Sequence, residues 1–186
     1  ILKTNQNRIV LIDEAYIDFG GTSCVDLIRK YDNLLVVQTY SKSRSMAGAR
    51  LGFAIADAGI IADLEKIKYS TNPYNINRLT LLAGEAAVES NAYYVENAKK
   101  IAATRDMTTQ KLREMGFTVL DSKANFIFAR HPKVDANELF QALKENNIYV
   151  RHWNAPRIDQ YLRITIGTRE EMETLFDFLR TYIKEK

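Results

Sequence analysis

Two short apolar runs, each followed directly by polar residues, constrain the fold of this chain more than any other feature. The run 9–12 ends in Asp13, and the run 34–37 leads into a polar loop that starts near Thr39. Continuous apolar, β-branched runs of this length are typical of strands buried on both faces of a parallel sheet. Both runs are therefore predicted to be neighbouring strands of an α/β sheet.

The residues between and after these runs support the same architecture. Segment 25–31 has helical spacing, with Leu27 and Ile28 predicted to point inward, so the first forty residues indicate strand, helix and strand. A third strand is predicted at 51–56.

The rest of the chain predicts further helices and a second group of strands. Gly116 is typical of a residue that ends a helix, and the turn 72–75 contains a proline that prevents the preceding helix from continuing. Helices are predicted at 60–69, from 76 onward, at 93–115, 136–145 and 170–183, and strands at 117–120, 125–129, 148–151 and 162–166. We expect two domains, 1–92 with the mixed, mostly parallel sheet and 93–186 as a small α+β domain.

Composition excludes several classes of function. Lys and Arg number 26 against 23 for Asp and Glu, an excess too small to indicate a nucleic-acid or membrane partner. The single cysteine, Cys24, cannot form an internal disulfide, and the sequence suggests no metal site. The lack of a cysteine pair favours a reducing, cytoplasmic setting, and no apolar run approaches the length of a membrane span, so we expect a soluble protein of the cytoplasm.

The polar residues after the first two strands predict one ligand site. In open α/β sheets, ligands bind beyond the carboxyl ends of the strands, which is where Asp13, Tyr16 and Lys42 fall. A carboxylate, a phenol, a lysine and the nearby Arg50 match the needs of pyridoxal 5'-phosphate (PLP). Its pyridinium nitrogen needs an anion, its phenolate a donor, its aldehyde an amine and its phosphate a cation.

Five blocks of sequence, in order, resemble the fold-type I PLP-dependent aminotransferases. Among these the chain is most similar to the histidinol-phosphate aminotransferases, and the resemblance covers nearly the whole chain. The blocks are 10–16, 39–53, 72–75, 124–126 and 162–168. The resemblance implies that the chain corresponds to about the C-terminal half of such an enzyme, beginning partway through its large domain.

The resemblance also implies roles for individual residues. Lys42 matches the lysine that forms the Schiff base with the cofactor, Asp13 the partner of the pyridine nitrogen and Tyr16 the partner of the phenolic oxygen. The implied cofactor-binding set is Asp13, Tyr16, Thr39, Ser41, Lys42 and Arg50, the last matching the phosphate-binding arginine with Thr39 and Ser41 beside it. Arg163 matches the arginine that binds the anionic end of the substrate, and Arg151 is a candidate second contact to a substrate phosphate.

The implied activity is a PLP-dependent transamination between histidinol phosphate and 2-oxoglutarate, with glutamate as the other amino acid, in histidine biosynthesis. The family typically works as a homodimer, so the resemblance implies self-association of the intact enzyme. No nucleic acid, membrane or metal partner is expected.

Three alternatives remain open from the sequence. The 186 residues by themselves could be a noncatalytic part of such an enzyme, or the enzyme could be another aminotransferase or a decarboxylase of a phosphorylated amino acid. A nucleic-acid-binding module that uses Lys42, Arg44 and Arg50 as a basic patch is a third interpretation. Taken singly, Asp13 could also be a helix cap or a solvated loop residue.

Overall fold

The chain forms two compact units. A computed structural model describes residues 1–184 and 186, and its contacts divide the chain into Ile1–Asn97 and Ala98–Lys186. The domain assignment made from the sequence, with its boundary after residue 92, stays a prediction.

The first unit contains a three-stranded mixed sheet. Its strands are β1 (Val10–Asp13), β2 (Leu34–Thr39) and β3 (Gly52–Ala56), in the order β1-β2-β3. β1 runs parallel to β2, and β3 runs antiparallel to it. The central strand is the most buried, because it has a hydrogen-bonded neighbour on both sides. All three predicted strands are present.

The prediction that the first strand is buried on both faces is wrong. Leu11 keeps 55% of its surface exposed, and exposed and half-buried residues alternate along β1. Successive side chains of a strand point to opposite faces, so this alternation means that one face of β1 is better covered than the other.

The helix predicted at 25–31 is instead a short 3-10 turn, Val25–Arg29, and Leu27 is exposed rather than inward. The Leu27 N–H bonds to the Cys24 carbonyl and the Lys30 N–H to the Leu27 carbonyl, which are the i to i+3 bonds of a 3-10 helix. The apolar spacing of so short a segment does not distinguish the two kinds of helix.

Capping residues define where the helices of the first unit begin. Helix α1 (Ala58–Thr71) starts at Asp57, whose carboxylate accepts from the Gly59 N–H at 2.8 Å. Helix α2 (Arg78–Glu89) starts at Asn77, whose side chain accepts from the Thr80 N–H at 2.9 Å. Side-chain acceptors at this position satisfy N–H groups that the helix itself leaves unbonded. The long helix α3 (Asn91–Glu114) follows.

The second unit is an α+β fold with a four-stranded antiparallel sheet. Its elements are β4 (Thr118–Val119), β5 (Phe126–Arg130), α4 (Ala136–Glu145), β6 (Arg151–His152), β7 (Leu162–Thr165) and α5 (Arg169–Lys184). The strand order is β4-β5-β7-β6. The strand predicted at 148–151 forms only at its end, because pairing with β7 begins at Arg151.

A continuous hydrophobic core holds the second unit together. Leu112, Ile127, Leu143 and Phe176 are fully buried, and each comes from a different element of this unit. Gly116, which follows α3, has φ +92°, a conformation that glycine adopts without strain. The predicted helix stop is therefore confirmed.

Among the residues that the structure describes, no helix combines the length and the apolar character that a bilayer crossing requires. No group of three or more histidine, cysteine, aspartate or glutamate side chains within the same described residues could hold a metal ion.

Candidate active site

The carboxyl ends of the two parallel strands lie at the same edge of the first unit's sheet. Asp13, the last residue of β1, pairs in register with Val37, and β2 continues two residues further to Thr39. The Asp13 side chain is exposed, and its Oδ1 accepts from the Ala15 N–H at 2.9 Å. The loops that follow the two strands therefore start from neighbouring points.

Two contacts join these loops. The Lys42 ammonium lies 5.3 Å from the centroid of the Tyr16 ring, a cation–π arrangement. The Ser43 hydroxyl donates to the carboxylate of Asp18. Two of the predicted site residues, a phenol from the first loop and an amine from the second, are thus in direct proximity.

The turn after β2 is fixed by its own hydroxyl groups. The Thr39 hydroxyl lies 3.0 Å from the Ser41 hydroxyl and accepts from the Ser41 N–H at 3.1 Å. It also lies 3.3 Å from the Leu51 carbonyl, to which it can donate. Both predicted phosphate-binding hydroxyls are therefore adjacent, on a turn held to the start of β3.

Arg50 occupies a backbone conformation unusual for its residue type. Its φ and ψ are +54° and +40°, in the left-handed region that costs free energy for residues with a Cβ. One guanidinium N–H donates to the Ala47 carbonyl at 3.0 Å, and the side chain as a whole is exposed. Strain of this kind is concentrated at functional sites.

Glu14 has a structural role that was not predicted from the sequence. It is buried, and its carboxylate accepts from the Ser23 hydroxyl, the Gln38 amide and the Cys24 N–H at 2.6–2.9 Å. These bonds attach the far end of the first loop and β2 to the residue next to Asp13. A charged residue close behind the apolar run 9–12 was the available signal in the sequence.

Arg44 is engaged in contacts that count against the basic-patch interpretation. Its guanidinium donates to the Ala87 carbonyl at 2.9 Å and to the Asn91 side chain at 2.8 Å. It also lies within 6 Å of the Tyr40 and Tyr94 rings. Arg44 therefore ties the loop after β2 to the C-terminal end of α2.

The two predicted substrate-binding arginines lie together in the second unit. Arg151 on β6 and Arg163 on β7 are directly opposite each other in the antiparallel pair. Both guanidinium groups lie over the ring of Trp153, at 5.7 Å and 5.5 Å from its centroid. Two cations on one face of a sheet form an arrangement suited to an anion.

The donor set of the first unit fits the chemical groups of PLP. An amine, a carboxylate, a phenol, two hydroxyls and a guanidinium all come from the segments that follow β1 and β2. Each has a counterpart on the cofactor: aldehyde, pyridinium nitrogen, phenolic oxygen and phosphate. The observed geometry brings Lys42 close to Tyr16 and Thr39 close to Ser41. The role of each residue toward the cofactor stays a prediction.

Sequence comparison finds histidinol-phosphate aminotransferases among the relatives of this chain. The chain is 56% identical over 185 residues to the histidinol-phosphate aminotransferase of Lactococcus lactis, with 100% of this chain and 51% of that protein covered. The chain therefore spans about half the length of this relative.

Solved structures agree with the sequence comparison. The histidinol-phosphate aminotransferase of Clostridium acetobutylicum has a TM-score of 0.87 at 26% identity, covering 100% of this chain and 57% of that one. The enzyme of the same name from Sinorhizobium meliloti was solved in complex with pyridoxal-5'-phosphate. Its match has a TM-score of 0.79 and covers 95% of this chain and 50% of the Sinorhizobium meliloti chain. At 22% identity this second likeness shows the fold alone.

The family assignment rests on nearly the whole chain. Residues 1–179 match the family described as aminotransferase class I and II, and this match covers the first unit and most of the second. The resemblance stated from the sequence blocks is confirmed, and so is the mixed α/β fold. The chain belongs to the class I and II aminotransferase family.

Proposed function

We propose that this chain forms the lysine-bearing and substrate-binding part of a PLP-dependent aminotransferase that exchanges an amino group between histidinol phosphate and 2-oxoglutarate. The observation that carries the proposal is the joining of the two loops through Lys42 and Tyr16. The relatives at 50–56% identity bear the name histidinol-phosphate aminotransferase, which supports histidinol phosphate as one of the two substrates.

The residues of the first unit would hold the cofactor. Asp13 would face the ring nitrogen as an anion and Tyr16 would donate to the phenolic oxygen, while Lys42 would supply the amine. Thr39, Ser41 and Arg50 would bind the phosphate, and the planar guanidinium can donate two parallel bonds to it.

When bound, PLP supplies an electron sink that makes the Cα proton of an amino acid removable. The amine of Lys42 is the group of this site that can take up a proton and return it at a neighbouring carbon. Arg151 and Arg163 would orient the substrate by binding its anionic end. Their positions on paired strands give the two cations a fixed separation, which loop residues would not.

The partners proposed are small molecules and a second copy of the intact enzyme. Histidinol phosphate, glutamate and 2-oxoglutarate are the substrates, and a homodimer is the proposed assembly. A cytoplasmic location suits an enzyme that consumes soluble metabolites.

Covalent trapping tests the assignment of the cofactor lysine. The chain is incubated with PLP, reduced with borohydride and digested, and the labelled peptide is located by mass spectrometry. We expect the label on Lys42 and its loss in Lys42→Ala. Lys68→Ala, which removes an exposed lysine of α1, is the matched control and should be labelled like the wild type. Equal labelling of many lysines, with no preference for Lys42, would contradict the role of this residue.

A second experiment tests the substrate. The Lactococcus lactis relative aligns with all of this chain over 51% of its own length. This chain is joined behind the part of the relative that precedes the aligned region. Amino-group transfer to 2-oxoglutarate is then measured with histidinol phosphate and with aromatic and aliphatic amino acids. We expect histidinol phosphate to give the highest kcat/KM. Preference for another donor, or release of CO2 from a phosphorylated amino acid, would overturn the proposed substrate.

A further inference from the structure

The pairing of two arginines on β6 and β7 is unfavourable unless a third group compensates for it. Arg151 and Arg163 are directly opposite each other, so their side chains lie on the same face of the sheet. Like charges at directly opposite positions destabilise a strand pair. Among the described residues, none of the ion pairs involves either arginine, so no carboxylate neutralises them.

The indole of Trp153, rather than a carboxylate, contacts both guanidinium groups. The Cζ atoms of Arg151 and Arg163 lie 5.7 Å and 5.5 Å from its centroid. The negative face of an aromatic ring attracts a guanidinium, and tryptophan does so most strongly. One ring therefore contacts both cations, although it carries no charge that would compete with them for an anion.

Other aromatic side chains support this arrangement. Phe128, which is opposite Arg163 in the β5–β7 pair, meets the indole edge to face with centroids 6.4 Å apart. Phe126 lies under the Arg163 guanidinium at 5.1 Å. Phe128 therefore contacts the indole, and Phe126 contacts the guanidinium of Arg163.

Arg163 also has an unmet hydrogen-bonding group. Its Nε is buried and has no hydrogen-bond partner in the part of the chain that the structure describes. A guanidinium that is partly desolvated, and that no carboxylate neutralises, attracts an anion more strongly than a solvated one. The arrangement is therefore prepared for an anionic ligand.

We infer that Trp153 is a positioning residue, which holds Arg151 and Arg163 in the convergent geometry that binds the dianion of a phosphate monoester. The inference rests on the proposed function, because it assigns the phosphate end of the substrate to these arginines. Two guanidinium groups suit a doubly charged phosphate better than a singly charged carboxylate. The indole acts through the arginines.

The chain itself offers a direct readout of this site. Trp153 is the only tryptophan of the sequence, so the intrinsic tryptophan fluorescence of the wild-type chain comes from the ring that contacts both arginines. At constant ionic strength, ethyl phosphate should change this fluorescence saturably, and acetate should do so far more weakly. Absence of any saturable response to ethyl phosphate would overturn the inference, because the arginines and the indole already lie together in this chain.

Three variants separate positioning from general stability, with ethyl phosphate affinity measured by calorimetry and folding checked by circular dichroism. Trp153→Leu should weaken binding by roughly tenfold, because it removes both cation–π contacts. Trp153→Phe, which keeps an aromatic face, should recover most of that loss. Tyr182→Leu removes a ring under a different cation, Lys186 at 5.8 Å, and should bind as the wild type does. Equal affinity in folded Trp153→Leu and wild type would overturn the inference, as would an equal loss in Tyr182→Leu.

The same proteins distinguish failure of the inference from failure of the proposed function. Borohydride trapping at Lys42 should proceed equally in the wild type and in Trp153→Leu, because Trp153 belongs to the other unit. Trapping at Lys42 combined with unchanged phosphate affinity in Trp153→Leu would sink the inference alone. Loss of phosphate affinity in that variant, combined with no trapping in the wild type, would count against cofactor binding by this chain alone and leave the positioning role of the indole standing.

Discussion

Single buried polar side chains decide much of the local structure of this chain. Glu14 is 5% exposed and accepts hydrogen bonds from three groups that are distant from it in sequence or lie on another element. A buried carboxylate is tolerated only where its hydrogen bonds are satisfied, as they are here. Glu14 is thus the residue that keeps the loop after β1 in place beside the predicted cofactor ligands.

Replacing Glu14 with alanine should destabilise the first unit by about 2–4 kcal/mol, because the Ser23, Cys24 and Gln38 donors lose their acceptor. Urea denaturation followed by circular dichroism measures this change. Glu65→Ala, at an exposed position of α1, is the control and should alter the free energy of unfolding by less than about 0.5 kcal/mol. Similar effects of the two substitutions would show that the carboxylate is not the anchor.

Thr108 presents the opposite case. Its side chain is fully buried in α3 and its hydroxyl has no hydrogen-bond partner among the described residues. Thr108→Val keeps the shape and removes the unbonded hydroxyl, so the free energy of unfolding should rise by about 1 kcal/mol. Thr104→Val is the matched control on the same helix, because the Thr104 hydroxyl donates to the Lys100 carbonyl at 3.0 Å. That control should give no gain, and a gain of equal size in both variants would contradict the explanation.

At the scale of elements, the pairing of β2 with β3 depends on a glycine. A Cβ at Gly52 would lie 2.9 Å from the Gln38 carbonyl oxygen, which belongs to the backbone and cannot move aside cheaply. Gly52 also pairs with Thr39, so the start of β3 supports the turn that carries the predicted phosphate ligands.

Gly52→Ala should therefore destabilise the chain by about 1–3 kcal/mol through steric overlap. Gly48→Ala, in the loop that precedes β3, is the matched control, since a Cβ at Gly48 would meet no atom within 4 Å. Thermal unfolding of both variants measures the difference. If Gly48→Ala lowered the Tm as much as Gly52→Ala, general strain in the loop would explain the result better than the contact with Gln38.

The elements also show how far the sequence could predict the structure. Helix 136–145 matches Ala136–Glu145 because an Asp cap and a long apolar stripe both mark it. The 3-10 turn at Val25–Arg29 could not be distinguished from an α-helix, since five residues hold little periodic information.

The sequence also did not predict which residues lie opposite each other on paired strands. The predicted ligands could be named from motifs, but nothing in the residue order places Arg151 opposite Arg163 or Trp153 beneath both. The sequence does not show the bonding partners of Glu14 for the same reason, because they come from the far end of its own loop and from the neighbouring strand. Long-range contacts of this kind arise from tertiary packing, which local patterns do not encode.

At the scale of the whole molecule, the two units differ in how much core each possesses. The continuous core cluster draws all of its members from the second unit, whereas the fully buried apolar residues of the first unit are few and centred on β2. Local stability follows the density of buried apolar contacts. Stability should therefore be unequally distributed along the chain.

Hydrogen exchange followed by mass spectrometry should reveal this difference. We expect amides of β5, β7 and α5 to exchange most slowly, and amides of β1 and β3 to exchange first, at denaturant concentrations below the main unfolding transition. Simultaneous exchange of all these strands would mean that the chain unfolds as one cooperative unit, contrary to the distribution of its core.

The half-covered edge strand β1 has a consequence for handling the protein in solution. An exposed edge with apolar side chains such as Leu11 can pair with the same edge of another molecule. The formal net charge of +3 provides only weak repulsion between molecules. Salting-out agents such as ammonium sulfate strengthen apolar association, so turbidity should appear at lower sulfate concentration for the wild type than for Leu11→Lys.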